Sequence, residues 1–201
     1  MPRALSQTEV EDFRDRLCEA ATRIFAEKGL AGFTMRELAG ALGVSAMTPY
    51  RYFKDKNEIL AAVRARAFDS FAAAMEAGFA KGRGDPIAGA NAAGEAYVRF
   101  AFDNPQAYHL MFEITQDEDG TFPELDRAAA RARTTMTRHI DGLVETGILK
   151  GNPELLGHVF WAALHGVVSL KLANKFSPGC TFEMVRDELF RALTVGLSRA
   201  T

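Results

Sequence analysis

The sequence predicts an all-α protein of about nine helices, and three observations predict it. Apolar residues recur at i, i+3, i+4 and i+7 in segment after segment of the 201-residue chain. Most segments open on Ser, Thr, Asp or Asn with a carboxylate three residues on, or on Pro at the first helical position, and close at Gly or Asn-Pro. No stretch sustains the two-residue alternation of a half-buried strand. The punctuation divides the chain into residues 1–54, a linking segment 55–85, and residues 86–201.

Overlapping capping boxes at Ser6–Glu9 and Thr8–Glu11 start the first helix, whose apolar stripe runs through Val10, Phe13, Leu17, Ala21, Ile24 and Phe25 and ends before Gly29. Thr34 with Glu37 caps a second helix that carries Met35, Leu38, Ala39 and Leu42. Gly43 supplies a turn residue tolerant of positive φ, Val44 a buried anchor, and Ser45 an N-cap for a third short helix to about Phe53. Two helices joined by a tight glycine turn describe a helix-turn-helix, whose second helix can enter a DNA major groove. Asp55 and Glu58 cap a long helix through Ile59, Leu60, Val63, Phe68, Phe71 and Met75 to about Phe79, and Lys81–Pro86 reads as a linker. Further helices are expected over Pro86–Asp103, Gln106–Glu113, Pro123–Thr146, Asn152–Phe176 and Thr181–Arg199, with an exposed acidic loop over Thr115–Thr121.

Composition does not point to nucleic acid. Net charge is −2, and residues 1–64 carry ten Lys and Arg against nine Asp and Glu, so a DNA-binding role rests on local geometry alone. Cys18 and Cys180 lie far apart in helical patterns and fit reduced core thiols. The N-terminus has no apolar h-region, and Val159–Leu172, the longest apolar window, is interrupted by His165 and Lys171, so the expected location is cytoplasmic, with no membrane partner.

The helix from Asn152 is apolar over much of its circumference, which requires burial on more than one side. With the last helix it offers Leu156, Phe160, Ala163, Val167, Val185, Leu189 and Leu193 to a four-helix homodimer interface, and Gly157, Ala163 and Gly166 would let a second helix approach closely. The alternative is a monomer core large enough to enclose both helices.

Residues 8–60 resemble the DNA-binding domain of the TetR family of transcriptional regulators. The resemblance is carried by Phe25-Ala-Glu-Lys-Gly29, Phe33-Thr-Met-Arg-Glu-Leu-Ala39, Gly43-Val-Ser45, Thr48-Pro-Tyr-Arg-Tyr-Phe53 and Lys56-Asn-Glu-Ile-Leu60. Asn104-Pro105 with Tyr108–Phe112, and Trp161 with His165-Gly166, resemble the branch whose ligand domain is named for a Trp-His-Gly signature. The resemblance implies an N-terminal three-helix DNA-binding domain, a C-terminal helical domain for ligand binding and dimerisation, and a repressor that binds a palindromic double-stranded operator as a homodimer until a small-molecule effector releases it. It assigns phosphate contacts to Thr34, Ser45, Tyr50 and Lys56, with backbone support from Arg36. Free N–H groups at a helix start, a phenol and a cation all suit phosphate oxygens. Ala46, Met47, Thr48 and Arg51 fall on the base-reading turns, where Arg51 suits guanine and Ala46 or Met47 a thymine methyl. Pro49 departs from a regular helix, because its missing N–H would have made the first intrahelical bond; the helix should start tightly wound or one residue late.

Candidate effector contacts are Phe100, His109, Met111, Phe112, Trp161 and His165; each also reads as an ordinary core or helix-surface residue. His158, Trp161 and His165 share a helix face without a carboxylate or thiol at metal-ligand spacing, so no metal is expected, and no cofactor. The chain lacks G-x-S-x-G, Walker A and G-x-G-x-x-G patterns, so no enzyme is expected. The alternative is a C-terminal domain with an unrecognised enzymatic or protein-binding role.

Overall fold

The computed structural model describes residues 6–112 and 121–198. These residues form eight α-helices and no strand: α1 (Gln7–Gly32), α2 (Met35–Ala41), α3 (Lys56–Ala80), α4 (Pro86–Asp103), α5 (Pro105–Phe112), α6 (Pro123–Glu145), α7 (Pro153–Leu172) and α8 (Phe182–Ser198). The ninth expected helix is instead a single 3₁₀ turn, Pro49–Arg51. Most of the expected acidic loop before Pro123, together with Glu113 and Arg199, lies outside the described residues.

The helix ends follow local chemistry. Ser6 Oγ accepts from the Glu9 N–H at 3.2 Å while Glu9 accepts from the Ser6 N–H at 2.7 Å, closing the capping box. Asp85 and Asn152 cap α4 and α7, each followed by Pro at the first helical position. Glycine breaks α1 at Gly29 (φ 66°, ψ −179°), a conformation open essentially to glycine alone, and one further turn ends at Gly32. α7 stops at Leu172, four residues short of the expected Phe176. Asn174 takes φ 53°, and the bonds Asn174 N–H to Lys171 O (3.0 Å) and Lys175 N–H to Leu170 O (2.9 Å) form a Schellman motif with asparagine in the left-handed position.

Packing divides the chain into two units that do not follow the linear scheme of 1–54, 55–85 and 86–201: Met1–Phe68 with Gln106–Ala128, and Asp69–Pro105 with Ala129–Thr201. In the first, Leu17, Ala21, Phe25, Phe33, Leu38, Phe53, Ile59 and Leu60 form a buried core that Leu110 of α5 joins. Phe33 fills it, stacked on Phe25 with centroids 4.2 Å apart. Arg64 fastens α5 by donating from Nε to the Leu110 carbonyl at 2.9 Å, and its own burial lowers its pKa. In the second unit Phe71 packs edge-on against Tyr97 and Phe100, both at 5.3 Å. There Arg131 of α6 clamps α3 through Glu76 (2.6 Å) and Asp69 (3.1 Å), which raises the arginine's pKa further. Cys18 is buried, and that burial raises its thiol pKa, whereas Cys180 is exposed on the turn before α8 rather than in the core.

Candidate functional site

The stretch from Thr34 to Lys56 is held from beneath and open above. Thr34 Oγ1 accepts from the Glu37 N–H at 3.1 Å; the Glu37 carboxylate, instead of completing a capping box, pairs with Lys28 of α1. The turn after α2 is a Schellman motif, with Gly43 at φ 65° and the bonds Val44 N–H to Ala39 O (3.0 Å) and Gly43 N–H to Gly40 O (3.1 Å). Ser45 does not N-cap an α-helix. Its carbonyl accepts from the Thr48 N–H at 2.9 Å, its hydroxyl shares a hydrogen bond with the Thr48 hydroxyl at 3.2 Å, and Pro49 has no N–H to give the next bond. The chain therefore winds through Thr48 N–H to Ser45 O, Arg51 N–H to Thr48 O and Tyr52 N–H to Pro49 O, all i to i+3. The tightly wound start that Pro49 implied runs to Tyr52, and Phe53 N–H then reaches the Pro49 carbonyl at 3.0 Å, an i to i+4 bond.

Pro49 and Phe53 are buried, anchoring this winding. Arg14 of α1 holds it as well, donating from Nη1 to the Tyr52 carbonyl at 3.2 Å with its guanidinium 4.5 Å over the Phe53 ring. Tyr52 packs on Phe13 at 4.8 Å. Facing outward, Thr34, Arg36, Ser45, Ala46, Met47, Tyr50 and Arg51 are exposed and Thr48 is half-buried. Met47 at 69% and Tyr50 at 48% are large apolar side chains left in solvent. Lys56 is half-buried and donates from Nζ to the Leu30 carbonyl at 3.0 Å, so one of its three donors serves the end of α1.

The second unit contains a cavity of about 240 Å³. Its buried lining includes Met75 of α3, Tyr97 of α4, Met136 and Ile140 of α6, and Leu164 of α7; Trp161 and Phe190 are half-buried, and Ile87, Asn91 and Thr194 are exposed at the rim. Of the six effector contacts read from the sequence, Trp161 lines it. His165 lies behind the wall, its Nδ1 3.3 Å from the Tyr97 hydroxyl and its Nε2 3.4 Å from Ser169 Oγ. Phe100 is core against Phe71. His109 is exposed, while Met111 and Phe112 belong to the first unit, where Phe112 packs against Phe68 and Tyr108 at 6.0 and 4.9 Å. Sequence reasoning missed His139, which lines the cavity. Burial lowers its pKa, outweighing the Thr135 carbonyl and Asp141, and Nδ1 makes no well-formed hydrogen bond. Its one sequence signal was its place beside the apolar stripe Met136, Ile140, Leu143 of α6.

Comparison with known proteins finds family matches over both ends of the chain. The family described as bacterial regulatory proteins, tetR family, matches residues 17–63. The family described as Tetracyclin repressor-like, C-terminal domain, matches residues 90–197, more than half of the chain. The chain belongs to the TetR family. An uncharacterized HTH-type transcriptional regulator of Haemophilus influenzae is 37% identical over 68 residues, 34% of this chain and 36% of that protein. An HTH-type transcriptional regulator of Staphylococcus aureus strain USA300 is 35% identical over 63 residues, 31% and 34% of the two. The chain thus matches about a third of the length of these curated relatives. The fold is shared more widely: a protein from Rhodococcus sp. RHA1 superposes with a TM-score of 0.80 at 22% identity over 99% of this chain and 100% of the other. A TetR family transcription regulator from Marinobacter aquaeolei VT8 does so at 0.73 and 22%, over 96% and 98%.

In this TetR-family regulator α7 and α8 present a shallow apolar groove outward, formed by Ala162, Ala163, Gly166, Val167, Leu170, Val185 and Leu189. Four of the seven interface residues read from the sequence, Ala163, Val167, Val185 and Leu189, lie there. Leu156 and Phe160 do not: both are buried in a core with Ile140, Leu143 and Leu149, and Leu193 packs against that core. A helix apolar nearly all round does not reveal in sequence which side faces its own chain. The small residues divide the same way. A Cβ on Gly157 would lie 2.7 Å from Thr137 Cγ2 of α6, whereas one on Gly166 would meet nothing within 4 Å. Among the described residues no group of three or more His, Cys, Asp or Glu is placed to hold a metal. By length and composition α7 could cross a membrane, and 33% of its apolar window is buried.

Proposed function

We propose that this TetR-family regulator is a cytoplasmic repressor that binds a palindromic operator as a homodimer and is released by a small molecule held in the C-terminal cavity, with no catalytic step. The observation that carries the reading is the exposed row Ser45, Ala46, Met47, Tyr50 and Arg51 on a backbone fixed from below by Pro49, Phe53 and Arg14. Large side chains left in solvent on a rigid turn need a partner, and this spacing suits one major groove. Thr34, Arg36, Ser45, Tyr50 and Lys56 position phosphates, while Ala46, Met47, Thr48 and Arg51 read bases.

The apolar groove of α7 and α8 supports a second copy as the dimer partner, and Leu170, 45% exposed, marks its open side. We infer that this copy, rather than lipid, covers α7. Two recognition segments must stand about 34–36 Å apart to enter successive major grooves. α3 is a continuous helix of 25 residues, roughly 37 Å long, that carries the cavity residue Met75 towards its C-terminal end, and a tilt on effector binding alters that spacing. The Trp161 and His165-Gly166 pattern keeps the resemblance to the Trp-His-Gly branch as part of this proposal.

Selection of bound fragments from genomic DNA, followed by anisotropy titration of the enriched duplex at several salt concentrations, tests the reading. An enriched palindrome with salt-sensitive affinity is expected. Lys56→Ala should weaken all sequences alike and reduce the salt slope by about 1, and Arg51→Ala should cost about 1–3 kcal/mol and relax preference at one base position. A folded dimer that enriches no palindrome would refute it.

A further inference from the structure

Resting on the proposed effector role of the cavity, we infer that its ligand is a compact, uncharged, largely apolar molecule with a single hydroxyl or carbonyl group, and that carboxylates and amines of the same shape are rejected. The cavity draws its lining from α3, α4, α6, α7 and α8 and from the turn after α6, and no Asp, Glu, Lys or Arg is among the described residues lining it. An ion placed inside would lose its hydration and meet no opposite charge, a penalty of several kcal/mol that shape alone does not offset. His139 is a poor partner for an anion, because its burial disfavours the imidazolium.

A neutral imidazole has one donor and one acceptor nitrogen, so it pairs with a hydroxyl in either sense and with a carbonyl through its N–H. His139, among the lining side chains away from the rim, brings an imidazole able to pair with a ligand oxygen. The polar groups Asn91 and Thr194 sit instead at the exposed rim, where water already serves them. Size sets the other bound. A dry apolar cavity of about 150 Å³ takes benzene, so about 240 Å³ suits one substituted ring or a chain of equal bulk.

Trp161, the single tryptophan, lines the cavity and reports occupancy without reference to DNA. The full chain is titrated with three isosteres, cyclohexylmethanol, cyclohexanecarboxylate and cyclohexylmethylammonium, following Trp161 emission and thermal midpoint. The alcohol is expected to give a saturable change, and the two ions to bind at least about tenfold more weakly. Gly94→Leu fills the cavity from α4, where an added Cβ meets nothing within 4 Å, so the variant should fold and lose the alcohol response. Equal binding of either ion, an alcohol response that survives in folded Gly94→Leu, or no saturable response to any of the three overturns the inference. Operator binding by the ligand-free chain is measured alongside. Its persistence without alcohol binding refutes the ligand class alone, and its absence with alcohol binding intact refutes the regulator reading alone.

Discussion

Replacing either of two glycines in α7 by alanine should have opposite effects on folding. Gly157 and Gly166 are both interior to the helix, so each gains roughly 1 kcal/mol of helix propensity on replacement. At Gly166 the added methyl meets no atom within 4 Å, and the gain stands. At Gly157 it would lie 2.7, 2.8 and 2.9 Å from Thr137 Cγ2, Cβ and Cα. Those distances fall roughly 0.7 Å short of a relaxed carbon–carbon contact. One of the three atoms is backbone, so α6 and α7 must separate, and overpacking of this kind costs about 1–3 kcal/mol. The net expectation is a loss of about 0–2 kcal/mol for Gly157→Ala and a gain of up to about 1 kcal/mol for Gly166→Ala. In a chain of this length each kcal/mol moves the thermal midpoint by about 2–4 °C. Urea unfolding at low protein concentration measures the folding term, and sedimentation equilibrium measures association. Gly166 lies in the outward groove, so its alanine variant should fold more stably yet dimerise more weakly. Equal stabilities for the two variants would refute the tight α6–α7 approach, and an unchanged dimer constant for Gly166→Ala would refute the groove as the interface.

Three other outcomes follow from the same physics. Gly43→Val should destabilise by about 1–2 kcal/mol in denaturant unfolding, because a β-branched residue must enter the left-handed region at φ 65°, and Gly43→Asn should cost less. Phe53→Ala should cost about 3–5 kcal/mol and Arg14→Ala about 1 kcal/mol, since Phe53 is 2% exposed beneath the Arg14 guanidinium; both should weaken operator binding, and a double-mutant cycle should show them coupled. His139 has a lowered pKa in the folded chain, so the unfolded chain binds the extra proton first; stability should be full above about pH 6.5 and fall as pH drops towards the folded value. His139→Phe should flatten that part of the profile in urea melts read at successive pH values.

Local chemistry determined most of the fold before any tertiary contact was known. Caps at Ser6, Thr34, Asp85 and Asn152, turns at Gly29 and Gly43 and the 3.6-residue stripes each depend on residues within one or two turns of chain, so they are written in the order of the amino acids. Pro49 belongs with them, since its missing N–H removes the first i to i+4 bond where an α-helix was expected. Tertiary structure decided what depends on direction. α7 is apolar on nearly every side, and only its neighbours turn Leu156 and Phe160 inward and leave Ala163 and Gly166 in the open groove. The cavity is likewise a space between five helices, to which His139, Tyr97 and Met75 come from segments far apart in the chain. Periodicity ranks a residue as buried but not beside what, which is why Trp161 alone among the expected effector contacts lines it, and why Met111 and Phe112 belong to the unit that holds Pro49 and Phe53.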